Sequence, residues 1–130
     1  MAKNTLISLF ENGNVICTEK MISMENVPWV KHPVFEGVYM KNLVTAAETD
    51  GAFSCHLARI SPGHSVDEHS HGELWEFNEV LEGIGTMTLA DKTQKCKAGD
   101  SFVNPPGVPH SLMASDGELY ITAKFVPALL

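Results

Sequence analysis

Turn signals recur at short intervals along this chain, and they constrain its fold more than any other feature. Three Asx-Gly pairs, Asn12-Gly13, Asp50-Gly51 and Asp116-Gly117, stand between apolar runs. Each offers the positive-φ residues of a tight hairpin turn. Residues 6–10 and 15–17 flank the first pair, 43–45 and 53–60 the second, 111–113 and 119–121 the third. Further breaks fall at Ser61-Pro62-Gly63, Gly83, Asp91-Lys92, Gly99-Asp100 and Asn104-Pro105-Pro106-Gly107. Short strands between turns spaced about 8–12 residues apart predict an all-β sandwich or barrel. Residues 84–89 fit: Met87 and Leu89 share one face and threonines the other, a period of two and not 3.6. A short helix is expected near residues 21–26. No repeat or linker interrupts the pattern, so one domain is expected over residues 1–130.

Charge narrows the partners. The 130 residues carry 9 Lys+Arg against 16 Asp+Glu, a net charge of −7. Nucleic acid and anionic membranes need Lys and Arg to neutralise phosphates, so neither is an expected partner. No apolar run reaches the ~20 residues of a membrane span, and residues 1–10 lack a signal-peptide pattern. Cys17, Cys55 and Cys96 are odd in number and widely spaced, which argues against a disulfide framework. The expected location is the cytoplasm. Six acids, Asp67, Glu68, Glu73, Glu76, Glu79 and Glu82, crowd beside His69 and His71. Function is sought there.

His69-Ser70-His71 places two imidazoles on one strand face, about 6.6 Å apart along the chain. They can lean toward one ion, although two surface histidines are the commoner explanation of such a pair alone. In the strand that follows, Glu76, Asn78, Val80 and Glu82 share one face and Trp75, Phe77, Glu79 and Leu81 the other. The first face mixes Val80 with polar groups, so Glu76 is expected to look into a polar cavity. The run Pro105-Pro106-Gly107-Val108-Pro109 stiffens the approach to His110. It delivers that histidine rigidly, or the histidine is incidental to a proline turn.

Taken together these residues resemble a family pattern. Gly63, His69-x-His71, Glu76 and Gly83 (residues 63–83) match all five fixed positions of the first signature motif of the cupin superfamily. Gly99, Pro105-x-Gly107 and His110 (residues 99–114) match four of five in the second. Ala114 stands where the family has asparagine, and fifteen residues, 84–98, separate the motifs. The resemblance implies an antiparallel β-barrel, or double-stranded jelly roll. It implies one divalent transition metal held through the positions of His69, His71, Glu76 and His110. Three neutral nitrogens and one anionic oxygen suit Mn, Fe, Ni, Co or Zn without choosing among them. Cupins host many chemistries. The leading expectation is a metal-dependent enzyme whose small organic substrate or ligand coordinates through oxygen, of dioxygenase, isomerase, lyase or decarboxylase type. The alternative is a non-catalytic ligand-binding or sensor cupin.

Other residues carry weaker expectations. Asn78 shares the face of Glu76 and is a candidate substrate contact. Arg59, the single arginine, either clamps a substrate carboxylate or pairs with neighbouring acids at a strand end. His56 points to the opposite strand face from Arg59, so at most one of them shares the pocket. His32 and His64 are expected at the surface or in loops. Asp67 and Glu68 are expected as rim charges or as carboxylates holding the ligating histidines. Met87, Phe102, Leu112 and Phe125 are expected to wall a core or cavity. Trp75, Phe77 and Leu81, with the N-terminal strands, predict a homodimer surface.

Overall fold

The computed structural model describes residues 5–130. Residues 1–4, at the start of the expected domain, lie outside it. Strand formation dominates from residue 38 onward. β-strands β4 (Val38–Val44), β5 (Ser54–Ile60), β7 (Trp75–Glu82), β10 (Ser101–Asn104) and β12 (Leu119–Val126) join the two-residue β3 (Val30–Lys31) in a six-stranded sheet of order β10-β7-β12-β5-β4-β3. β6 (Ser65–His69), β8 (Ile84–Leu89), β9 (Lys92–Lys97) and β11 (His110–Ala114) form a facing sheet of order β6-β11-β8-β9. Every pairing is antiparallel. The fold is a jelly-roll β-barrel.

Alternation decides which residues enter. On β7, Glu76, Asn78 and Val80 are buried while Trp75 and Phe77 are exposed. On β8 the buried set is Gly85 and Met87. Val38, Ala58, Ile60, Val80, Met87, Leu112, Leu119 and Ile121 from both sheets form the core between them, with Phe102 packed against it. Each fully buried Val, Leu, Ile or Met side chain among them contributes about 1.5–3 kcal/mol. A second cluster, centred on Ile7, Met24, Leu43 and Leu57, lies on the other side of the six-stranded sheet. It is closed by the N-terminal segment, which includes the ribbon of β1 (Asn14–Ile16) and β2 (Met21–Ser23).

Five local expectations are corrected. Residues 6–10 are not a strand but part of α1 (Leu6–Glu11), because Thr5 caps the helix by accepting the Ser8 N–H at 3.1 Å. A short apolar run has no periodicity of its own to separate helix from strand. Near Asp50-Gly51 the turn is widened by the one-turn helix α2 (Ala46–Thr49), with a Thr45–Glu48 capping box and Asp50 left-handed at its C-cap. The third pair, Asp116-Gly117, does not close a hairpin: β11 and β12 belong to different sheets. The helix expected near 21–26 is confined to a 3-10 turn at Met24–Asn26 after β2. The turn between β8 and β9 comprises Ala90 and Asp91, one residue before the expected break.

Crossing between sheets demands tight corners. Gly83, joining β7 to β8, has φ 101°, and a Cβ there would meet the Glu118 carbonyl oxygen at 2.4 Å. Only glycine satisfies both the torsion and the close approach.

Candidate metal centre

Three parts of the chain converge at one end of the barrel. His69 closes β6 and stands opposite His110, the first residue of β11. Glu76 lies near the start of β7, between Asn104 of β10 and Phe125 of β12. His71 lies in the loop after β6, and its carbonyl accepts the Gly107 N–H at 3.1 Å, tying the first motif to the second. Gly107 has φ 73°, a conformation costly for other residues.

One ligand atom from each of His69, His71, Glu76 and His110 lies within 4.8 Å of all the others. His69 Nε2 and His71 Nε2 are 3.1 Å apart. Glu76 Oε1 is 3.3 Å from His71 Nε2 and 3.0 Å from His110 Nε2. The orientation of two rings follows from the backbone. His69 Nδ1 lies 2.7 Å from the Asp67 carbonyl and His110 Nδ1 3.1 Å from that of Val108. A carbonyl only accepts, so both Nδ1 atoms bear the proton and both Nε2 atoms carry lone pairs. The Asp67 carboxylate has no part in this; its side chain is exposed and bonds to Ser65.

These lone pairs face the Glu76 carboxylate. Glu76 Oε1 and His110 Nε2 are buried, and their short approach has no hydrogen-bond alignment. A buried acceptor facing an acceptor is costly, and a divalent cation resolves it. The donor set therefore fits a transition metal. Electrostatics prepares the site. Where an imidazolium proton takes the place of the ion, burial still acts to raise the Glu76 pKa, but the protonated rings of His110 foremost and His71 outweigh it and hold the carboxyl at about 2. Burial lowers the His69 pKa. At His110 the same burial is outweighed by Glu76, which raises its pKa.

Beside these groups lies a cavity of about 70 Å³. His32, His69, His71 and Glu76 form its polar side; Val38, Met40, Ala58, Phe125 and Leu129 contribute to its apolar side. Phe125 meets the His71 ring edge-on at 5.1 Å. Larger hollows lie elsewhere, but the apolar groove of about 410 Å³ between Leu9, Phe10, Met24 and Leu43 has no titratable lining group.

The remaining sequence candidates divide by sheet face. Asn78 is buried beside Phe102 and Ala123, on the face of Glu76. Among the described residues its Oδ1 has no protein partner, and the residue is not part of the cavity wall. Arg59 is on the outer face of β5. Its guanidinium lies over Trp29 and Tyr39 at 5.0 and 4.6 Å, and Nε is 3.4 Å from Glu118. The strand alternation that turns His56 inward turns Arg59 away, so the pairing with an acid is what the structure displays. His56 is fully buried, between Asn42 Oδ1 at 2.7 Å and Ser54 Oγ at 2.9 Å. Glu79 also faces outward, bonded to Lys124 and Thr122.

Neither His32 nor Leu129 was expected at the cavity. His32, expected at the surface or in a loop, is half-buried and lines the cavity, whereas His64 is exposed. Leu129 reaches the wall because the C-terminal segment folds back over the sheet. Its N–H donates to Ser54 Oγ at 2.9 Å. The His32-Pro33 pair was a visible turn signal, but nothing local showed what the turn would face.

A family model described as a cupin domain matches residues 56–123. No curated protein matches the chain. Among solved structures, a predicted oxalate decarboxylase from Thermotoga maritima is 24% identical with TM-score 0.71, over 79% of this chain and 95% of that one. The polyketide cyclase RemF from Streptomyces resistomycificus is 20% identical with TM-score 0.70, over 85% of each chain. Bacillus subtilis oxalate decarboxylase, a protein with Mn(II) centres, is 21% identical with TM-score 0.70, over 82% of this chain and 29% of that one. At these identities the likeness establishes the fold alone.

Proposed function

The chain belongs to the cupin family, and from that premise we propose that it is a metal-dependent enzyme acting on a small organic molecule through an oxygen atom. One observation carries the reading: four ligand atoms converge within 4.8 Å with lone pairs and a carboxylate oxygen turned inward. His69, His71, Glu76 and His110 would hold the ion. A divalent metal bound there supplies Lewis acidity toward a coordinated oxygen. The chain itself supplies geometry and dryness. Asp67 and Val108 carbonyls fix two imidazole tautomers, and Phe125 and Leu129 exclude water from one side. The manganese of the B. subtilis neighbour supports a transition metal without selecting one.

One feature favours a second reading, a ligand-binding or sensor cupin without turnover. Among the described cavity-lining residues Glu76 is the only carboxylate, which leaves no acidic side chain free as a general base. The two readings separate in one experiment. Protein loaded with Mn, Fe, Co, Ni or Zn is incubated with small carboxylates, carbonyls and hydroxy acids. Product formation, abolished by chelator and restored by metal, is the result expected of the enzyme. Stoichiometric binding without product identifies the binding protein.

A homodimer completes the proposal. Leu81, expected in this surface, packs instead against the second cluster, whereas Trp75, Phe77, Val103 and Val126 are all exposed on the outer face of neighbouring strands β7, β10 and β12. A second copy covering this patch would remove its apolar area from water.

A further inference from the structure

His32 follows β3 and contributes to the wall of the metal cavity. Its Nδ1 accepts the backbone N–H groups of Val34 at 3.1 Å and Phe35 at 3.2 Å. An atom accepting two donors carries a lone pair, so the neutral ring bears its proton on Nε2. Burial lowers the His32 pKa, which keeps the ring neutral at pH 7. Phe35 packs on the ring with centroids 4.8 Å apart and itself packs 5.5 Å from the ring of His69. The imidazole is therefore fixed in both tautomer and place. Among the described residues, Nε2–H has no protein acceptor.

The rest of the wall makes this donor distinctive. Apart from the proposed ligands, the lining side chains other than His32 are apolar, with Met40, Ile121, Phe125 and Leu129 among them. A divalent ion and the Glu76 carboxylate leave one net positive charge, which a singly charged anion neutralises. The cavity, about 70 Å³, is far smaller than the roughly 300 Å³ at which pockets for drug-sized ligands begin. We propose that His32 is a ligand-positioning residue whose Nε2–H donates to an oxygen of a short monocarboxylate held in this cavity. The inference rests on the metal reading above.

The test uses acetate as probe and cobalt(II)-loaded protein, followed by visible absorption and calorimetry. His32→Asn preserves the turn, because an asparagine oxygen accepts the same two backbone N–H groups, but it lacks the distal donor. The expected result is unchanged cobalt content with acetate binding about tenfold weaker, the equivalent of one hydrogen bond. Acetate binding as tight as wild type would overturn the proposal. Nitrogen NMR of labelled, metal-free protein gives an independent reading: His32 should be the Nε2–H tautomer, and the Nδ1–H form would overturn the proposal regardless of metal. Wild-type protein that takes up no cobalt contradicts the metal reading itself and removes the ground for this one.

Discussion

A neutral imidazole has one proton for two nitrogens, and much of this site follows from where backbone carbonyls place it. At His69 and His110 the carbonyls two residues upstream hold the proton on Nδ1, so the lone pairs turn toward Glu76. Glu76→Gln retains shape but loses the anion and should weaken metal binding at least about hundredfold, measured by competition with a chromophoric chelator. Buried His56 sets a separate pH dependence. Burial holds its pKa near 4, against 6.5 for the free side chain. Between those values the unfolded chain binds the proton and the folded chain does not, so stability falls as pH drops from about 6.5 to 4. Denaturant unfolding of metal-free protein should lose about 2–3 kcal/mol across that window, and His56→Asn should flatten the loss. The four residues now seen together were legible because their spacing is local to two motifs. The carbonyl partners were not, since every residue carries a carbonyl. His32 escaped because a cavity wall is assembled from segments distant in sequence.

At the level of elements, corners and closures matter more than strands. Gly83→Ala should cost at least about 1–3 kcal/mol, read as a lowered Tm, because it adds backbone strain to the clash with the Glu118 carbonyl. Residues 127–130 act as a closure: the Ala128 N–H bonds the Gly51 carbonyl, Leu129 is clipped to Ser54, and the Leu130 carbonyl accepts the Ala46 N–H. Leu129→Ala should enlarge the cavity and lengthen the carboxylate chain it accepts, read as butyrate binding by calorimetry relative to acetate. Strand alternation on β7 and β8 was readable because one face of each strand meets the core. α1 was misread because five apolar-rich residues satisfy both periods. Asp116-Gly117 was misread because a turn signal states that the chain reverses, not which sheet receives it.

For the whole molecule, the acidic balance takes a more specific form. Asp67, Glu68 and Glu73 are exposed around the metal motif, whereas Glu79 is paired with Lys124 on the outer face. No helix among the described residues is long and apolar enough to cross a membrane. The exposed patch of Trp75, Phe77, Val103 and Val126 predicts self-association. Trp75→Glu should shift the light-scattering mass from dimer toward monomer at micromolar concentration while circular dichroism stays unchanged. A monomeric wild type would remove that proposal and leave the site intact. The central claim is that this barrel holds an ion between strands β6, β7 and β11 and the loop after β6. Elemental analysis of tag-free wild-type protein beside His69→Ala/His71→Ala tests it most directly. About one divalent transition metal per chain is predicted in the wild type, with little in the folded double variant. Equal metal in both proteins would contradict the account.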